Sequence, residues 1–218
     1  MNLGQRSGNA LAAPAVVLGA AAQAGLSNLS FRHPRYFWSL MTLGLSACGI
    51  PGLRRLRDRP QSTSLGWLGL GLLAGIFGYG LTILGALVVR RMPWGRRSLD
   101  QIRECTEGVA RPVAALLVVP AAVGEELFWR QTVLDARHPA GSGPSFRRLV
   151  GTTLAYAAVQ SGSGQPLPPL GALLLGSGAG WIKARSGSIW PAAAAHLAYT
   201  ELCLVRPGLP RSQSHHSK

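Results

Sequence analysis

From Ser64 to Val89 the chain carries no charged residue, while Arg54, Arg55, Arg57 and Arg59 precede this run and Arg90 and Arg91 close it. As a helix rising 1.5 Å per residue, such a run can cross a bilayer core of about 30 Å. The same alternation recurs along the sequence. Asn9–Ser30, Tyr36–Leu53, Val113–Leu134, Leu149–Pro169, Leu170–Ile182 and Ser186–Val205 are further apolar stretches, and arginines and lysines gather between them. Charged residues make up only 14% of the 218, with 22 Lys+Arg against 8 Asp+Glu and a net charge of +14. About 25% is usual for a soluble domain. A disordered basic tail would lack the Leu, Val and Ile found here. A nucleic-acid binder collects its basic residues on one folded face, often among aromatics, whereas these punctuate hydrophobic runs. The expected fold is an all-α polytopic transmembrane helical bundle of about six to seven spans. Its glycines, dense from Gly66 to Gly80, suit close helix packing in lipid. Basic loops between spans also imply contact with anionic lipid headgroups, and no nucleic-acid partner is expected.

The amino terminus has Arg6, an apolar stretch from Leu11 to Ala20 and the small-residue site Ala22-Gln23-Ala24. That pattern fits a secretory signal or a retained first span, and the retained span is the preferred reading. Counting Lys and Arg on alternate sides of seven spans gives near-equal totals, so the sequence assigns no orientation. Cys48, Cys105 and Cys203 are too few and too scattered for a disulfide framework.

The scarce acids are more informative than the abundant bases. Glu125 and Glu126 stand side by side inside an apolar helical pattern, followed by Leu127, Phe128, Trp129 and Arg130. Carboxylates within a membrane segment are costly, so they tend to face a polar cavity and to serve a function. Glu126 and Arg130 are four apart with the acid first, the favourable order for a helical ion pair. Glu125, about 100° around the helix, is left without a cation of its own and is available as a general base on water. On the last apolar stretch His196 and Thr200 are also four apart and share a helix face. Four alanines precede His196, leaving room for close approach, and Pro191 is expected in the first helical turn.

These residues fall into a pattern. The Glu125-Glu126-x-x-x-Arg130 cluster, followed by Gly180-Trp181 and then by Gly187-Ser188-Ile189-Trp190-Pro191 and His196, resembles the CAAX-protease and bacteriocin-processing family of intramembrane glutamic endopeptidases. The resemblance covers Pro112 to Val205. It divides the chain into amino-terminal spans with basic loops (1–111), a protease-like core (112–205) and a disordered basic tail (206–218). The resemblance implies an integral membrane protein, expected in the bacterial inner membrane, that cleaves a membrane-associated protein or peptide without a cofactor. By position, Glu125 would activate water, Glu126 and Arg130 would support it, and His196 would donate to the oxyanion.

Two positions depart from the family pattern. Where an aromatic is followed four residues later by histidine, this chain has Tyr156 and Gln160. Where the last histidine has an asparagine or aspartate partner, it has Thr200. Gln160 can hold a water but cannot carry a proton at neutral pH, whereas Thr200 retains one donor of shorter reach. Losing an oxyanion donor typically costs about 10²–10³ in rate, and losing acid–base assistance roughly another 10²–10⁴. No obvious substitute histidine is offered by His138, in a loop, or by His215 and His216, in the tail. The alternative is therefore a membrane scaffold of the same fold with weakened or lost proteolysis, acting in immunity, binding or maturation. Ion translocation by the buried acids is a third reading, but no internal repeat supports it. Zinc on Glu125, Glu126 and His196 is disfavoured because zinc sites normally use more than one His or Cys.

Overall fold

The computed structural model describes residues 12–58, 60–135 and 145–205. The expected tail at 206–218 and His138 lie outside the described residues. Those described form eight α-helices and no strand. They are α1 (Ala12–Arg32), α2 (Phe37–Asp58), α3 (Leu65–Val89), α4 (Pro93–Thr106), α5 (Arg111–Glu126), α6 (Phe146–Gln160), α7 (Leu167–Ser186) and α8 (Trp190–Thr200). Two of them continue in wider π-helical winding, α5 through Leu127–Leu134 and α8 through Glu201–Val205.

Local chemistry sets most of these boundaries. Ser64 caps α3 by accepting a hydrogen bond from the Trp67 amide at 3.3 Å. Proline occupies the first turn of α4, α5, α7 and α8, where its missing N–H costs nothing, and Pro191 lies there as expected. Gly187, with φ +70°, ends α7 in the left-handed conformation and lets α8 begin three residues later. Gly164, also at φ +70°, follows a short 3-10 turn and separates α6 from α7. The Leu149–Pro169 run expected as one segment is therefore broken, because Gly164 takes the left-handed conformation before the next helix opens at Leu167.

By length and apolar composition alone, two helical runs can cross a membrane: Leu65–Val89 and Arg111–Leu134. The count of six to seven spans is not reached on that measure. Large apolar side chains are nonetheless exposed on several helices, while a few ionisable ones are buried. Leu18, Leu43, Leu73, Phe77 and Leu116, from α1, α2, α3 and α5, are each more than 60% exposed. Glu125, Glu126, Arg130, Lys183 and His196 are buried.

Two glycine-lined helix crossings organise the bundle. On α2, Thr42, Ser46, Gly49 and Gly52 share a face against α5. Thr42 and Ser46 donate to the Leu117 and Pro120 carbonyls at 3.1 and 3.2 Å. A methyl group at Gly49 would strike the backbone of Gly124, and one at Gly52 the Leu127 carbonyl. On α3, Gly71, Gly75, Gly78 and Thr82 share a face against α8. Added methyl groups at Gly71 and Gly75 would meet the carbonyls of Pro191 and Ala195, while Thr82 bonds Tyr199 at 3.0 Å. The first crossing fixes the helix of the glutamates and the second the helix of the histidine.

Candidate active site

Glu125 and Glu126 are the last two residues of α5, one position beyond the Gly124 crossing, where the backbone passes from α to π winding. Such π segments are rare and often mark functional sites. The Glu126–Arg130 pair expected from spacing is present, with Nε 3.2 Å from Oε2 and both side chains at most 2% exposed. The Arg130 guanidinium also stacks over the Tyr156 ring, 5.2 Å from its centroid.

His196 joins the two acids. Its Nδ1 lies 2.9 Å from Glu126 Oε1, and its Nε2 lies 3.5 Å from Glu125 Oε2. The other oxygen of Glu125 accepts a hydrogen bond from Gln160 Nε2 at 3.0 Å. Gln160 in turn accepts from the Ser27 hydroxyl at 3.2 Å. Five of the six residues expected at the site thus form one connected polar cluster: Glu125, Glu126, Arg130, Gln160 and His196. Thr200, one turn beyond His196, has no hydrogen bond to them but shares a cavity with Glu125, Gln160 and His196.

That cavity has a volume of about 170 Å³. Glu125, Gln160, His196 and Thr200 form its polar end, and Phe37, Trp38, Met41, Val118, Ala172 and Leu204 are among its apolar walls. An apolar cavity with a few converging polar groups can direct one carbonyl at the carboxylate. Glu126 does not line the cavity. Its carboxylate lies behind, spent on Arg130 and His196. Among the described residues no group of three or more His, Cys, Asp or Glu side chains is arranged to hold a metal.

Several positioning residues were not among those expected. Ser27 on α1 orients the Gln160 amide, and Asn28 donates to the Gly162 carbonyl at 3.0 Å. Gln23 accepts from Trp129 Nε1 at 2.8 Å. Gln61, between α2 and α3, donates to Gln131 Oε1 at 2.7 Å and accepts from the Ile189 amide at 2.8 Å. It therefore ties the segment after the glutamates to the start of the histidine helix. Arg55 donates to the carbonyls of Gln131 and Thr132. Lys183 pairs with Asp135 at 3.0 Å and donates to the Gly187 carbonyl at 3.1 Å, closing the same end of the bundle. No local motif marks these polar side chains. Their only signal is an uncharged polar group within or beside an apolar run.

Residues 108–200 match the family model described as type II CAAX prenyl endopeptidase Rce1-like. The matched region runs from α5 through α8 and includes Glu125, Glu126, Arg130, Gln160, His196 and Thr200, with Gln23, Ser27, Arg55 and Gln61 outside it. No curated protein and no solved structure matches the chain.

Proposed function

We propose that this chain, which belongs to the CAAX-protease and bacteriocin-processing family through residues 108–200, is an intramembrane glutamic endopeptidase acting on a membrane-associated protein or peptide. The observation that carries the reading is the placement of Glu125. Its carboxylate is held between Gln160 and His196 at the polar end of an otherwise apolar cavity. The membrane setting is supported by the large apolar side chains exposed on α1, α2, α3 and α5, with Glu125, Glu126, Arg130, Lys183 and His196 buried. In this reading the helices together form a bundle of six to seven spans in a bacterial inner membrane, its arginine-rich loops against anionic headgroups.

The chemistry follows from the geometry. Water at the polar end of the cavity gives a proton to Glu125 while its oxygen bonds to the substrate carbonyl carbon. The carbonyl electron pair moves onto oxygen. Glu126, fixed by Arg130, holds His196 through Nδ1 and so turns Nε2 toward Glu125 and the reacting centre. His196 and the Thr200 hydroxyl stabilise the oxyanion. On collapse the C–N bond breaks and Glu125 returns its proton to the departing amine. Gln160 cannot relay a proton, so its part is to hold Glu125 Oε1, with its own orientation set by Ser27.

The absence of histidine at position 160 and of asparagine at 200 favours a second reading, a scaffold of this fold without proteolysis. One experiment separates the two. A tagged membrane substrate is followed by immunoblot in host cells carrying wild type, Glu125→Ala or empty membranes. Processing by wild type and none by the variant supports the protease. Equal processing in all three supports the scaffold.

A further inference from the structure

A second cavity, of about 260 Å³, lies between α3, α4, α7 and α8. Leu81, Ala86, Val89, Leu99, Leu174 and Cys203 are among its walls, and Gly171, Tyr199 and Thr200 are among the residues that line both it and the cavity of Glu125. Two of its polar groups, the hydroxyls of Thr82 and Tyr199, are spent on each other at 3.0 Å. The site therefore suits a hydrocarbon chain better than a polar ligand.

A basic stretch of chain adjoins this cavity. Val89 lines it, and Arg90 and Arg91 follow directly. The chain turns through Met92 and Pro93 into α4, and Gly95 packs so closely on the Val89 carbonyl that a methyl group there would strike it. Arg96 and Arg97 come next, at the start of α4, so the turn between α3 and α4 carries four arginines between positions 90 and 97. All four arginines are exposed, and among the described residues none of them is in an ion pair with a carboxylate. From Ser64 to Leu99 there is no acidic residue, and Asp100, the next one, pairs with Arg103 at 3.5 Å. Trp94, 43% exposed, stands between the two arginine pairs in the sequence, and tryptophan is enriched at the boundary between lipid and water.

We propose that this corner binds one anionic phospholipid, its acyl chain in the cavity and its phosphate on Arg90, Arg91, Arg96 and Arg97. The charge of the rim selects an anionic headgroup over a zwitterionic one, and the apolar walls select a lipid over a free anion. A chain seated there touches Thr200, which also lines the cavity of Glu125, so lipid occupancy bears on the shape of the active site. The inference rests on the membrane reading above.

The test uses the full chain purified in detergent and native mass spectrometry with added phosphatidylglycerol or phosphatidylcholine of the same acyl chains. Wild type should retain phosphatidylglycerol about tenfold more than phosphatidylcholine, since each interfacial arginine favours an anionic surface. Exchanging all four arginines for glutamine should equalise the two lipids. Leu174→Trp, which fills the cavity and leaves the rim intact, should reduce retention of both. Variants are compared only when they elute as wild type does. Equal retention of the two lipids by wild type overturns the proposal, as does a phosphatidylglycerol preference that survives in the glutamine variant. Displacement of the lipid by an equal concentration of inorganic phosphate also overturns it, making the corner a phosphate site. Recovery of the chain in the aqueous phase after a carbonate wash defeats the membrane reading itself. Membrane retention without lipid selectivity defeats only the lipid site.

Discussion

Glu126 Oε1 lies 2.9 Å from His196 Nδ1, joining residues 70 positions apart in the sequence in a buried part of the bundle. The same carboxylate holds Arg130 on its other oxygen. One acid thus anchors both the cation on its own helix and the histidine of another, and leaves Glu125 as the carboxylate that faces the cavity.

The anchor can be tested through stability. Arg130→Met leaves Glu126 buried without its cation, and removing one partner of a buried pair costs about 3–5 kcal/mol. The variant should unfold markedly earlier than wild type in detergent, followed by tryptophan fluorescence. Glu126→Gln combined with Arg130→Met removes both charges and should recover much of that loss.

Helix packing makes a second prediction. Gly75→Leu would drive a side chain into the Ala195 carbonyl and separate α3 from α8, displacing His196. Gly69 and Gly80 have open space where a methyl group would go. Gly75→Leu should therefore fail to give a monodisperse protein by size exclusion, whereas Gly69→Ala and Gly80→Ala should behave as wild type.

Gln61 acts through the residues it positions. Gln61→Ala cuts the link between Gln131 and the Ile189 amide and loosens the two active-site segments relative to each other. Misplacement of reacting groups by about 1 Å can cost roughly 10² in rate. The expected signature is a lowered kcat with KM little changed. Gln61→Glu, which keeps the acceptor for the Ile189 amide, should recover part of it, and a change confined to KM would contradict the assignment.

Gln160 gives the fourth prediction. Gln160→Leu removes the donor on Glu125 Oε1 and should lower peptide cleavage, while Gln160→His restores a proton carrier beside the base and should raise it, within the roughly 10²–10⁴ range of acid–base assistance. Cleavage assays on the purified variants decide this. No gain with histidine would mean that the pocket has been repurposed.

Much of this arrangement was legible in the sequence because it is local or periodic. The Glu126–Arg130 pair follows from i,i+4 spacing, the all-helical class from long apolar runs, and the His196–Thr200 face from helical geometry. The contributions of Ser27 and Gln61 were not legible. They bond residues 133 and 128 positions away, through contacts that exist only once separate helices have docked. The π winding after Glu126 was also hidden. Thr132 Oγ1 bonds the Leu127 carbonyl at 3.1 Å while Arg55 binds the carbonyls of Gln131 and Thr132. The break at Gly164 was present as Gly164, Pro166 and Pro168, but hydropathy alone runs across it.

The most direct measurement compares purified wild type with Glu125→Gln, reconstituted in the same vesicles with a membrane-associated peptide and monitored for cleavage products by mass spectrometry. Glutamine keeps the shape and the hydrogen bond to Gln160 but cannot accept the proton of water. The account predicts specific cleavage by wild type and none above the empty-vesicle background by Glu125→Gln, with both proteins equally folded. Cleavage at equal rates by the two proteins would contradict it.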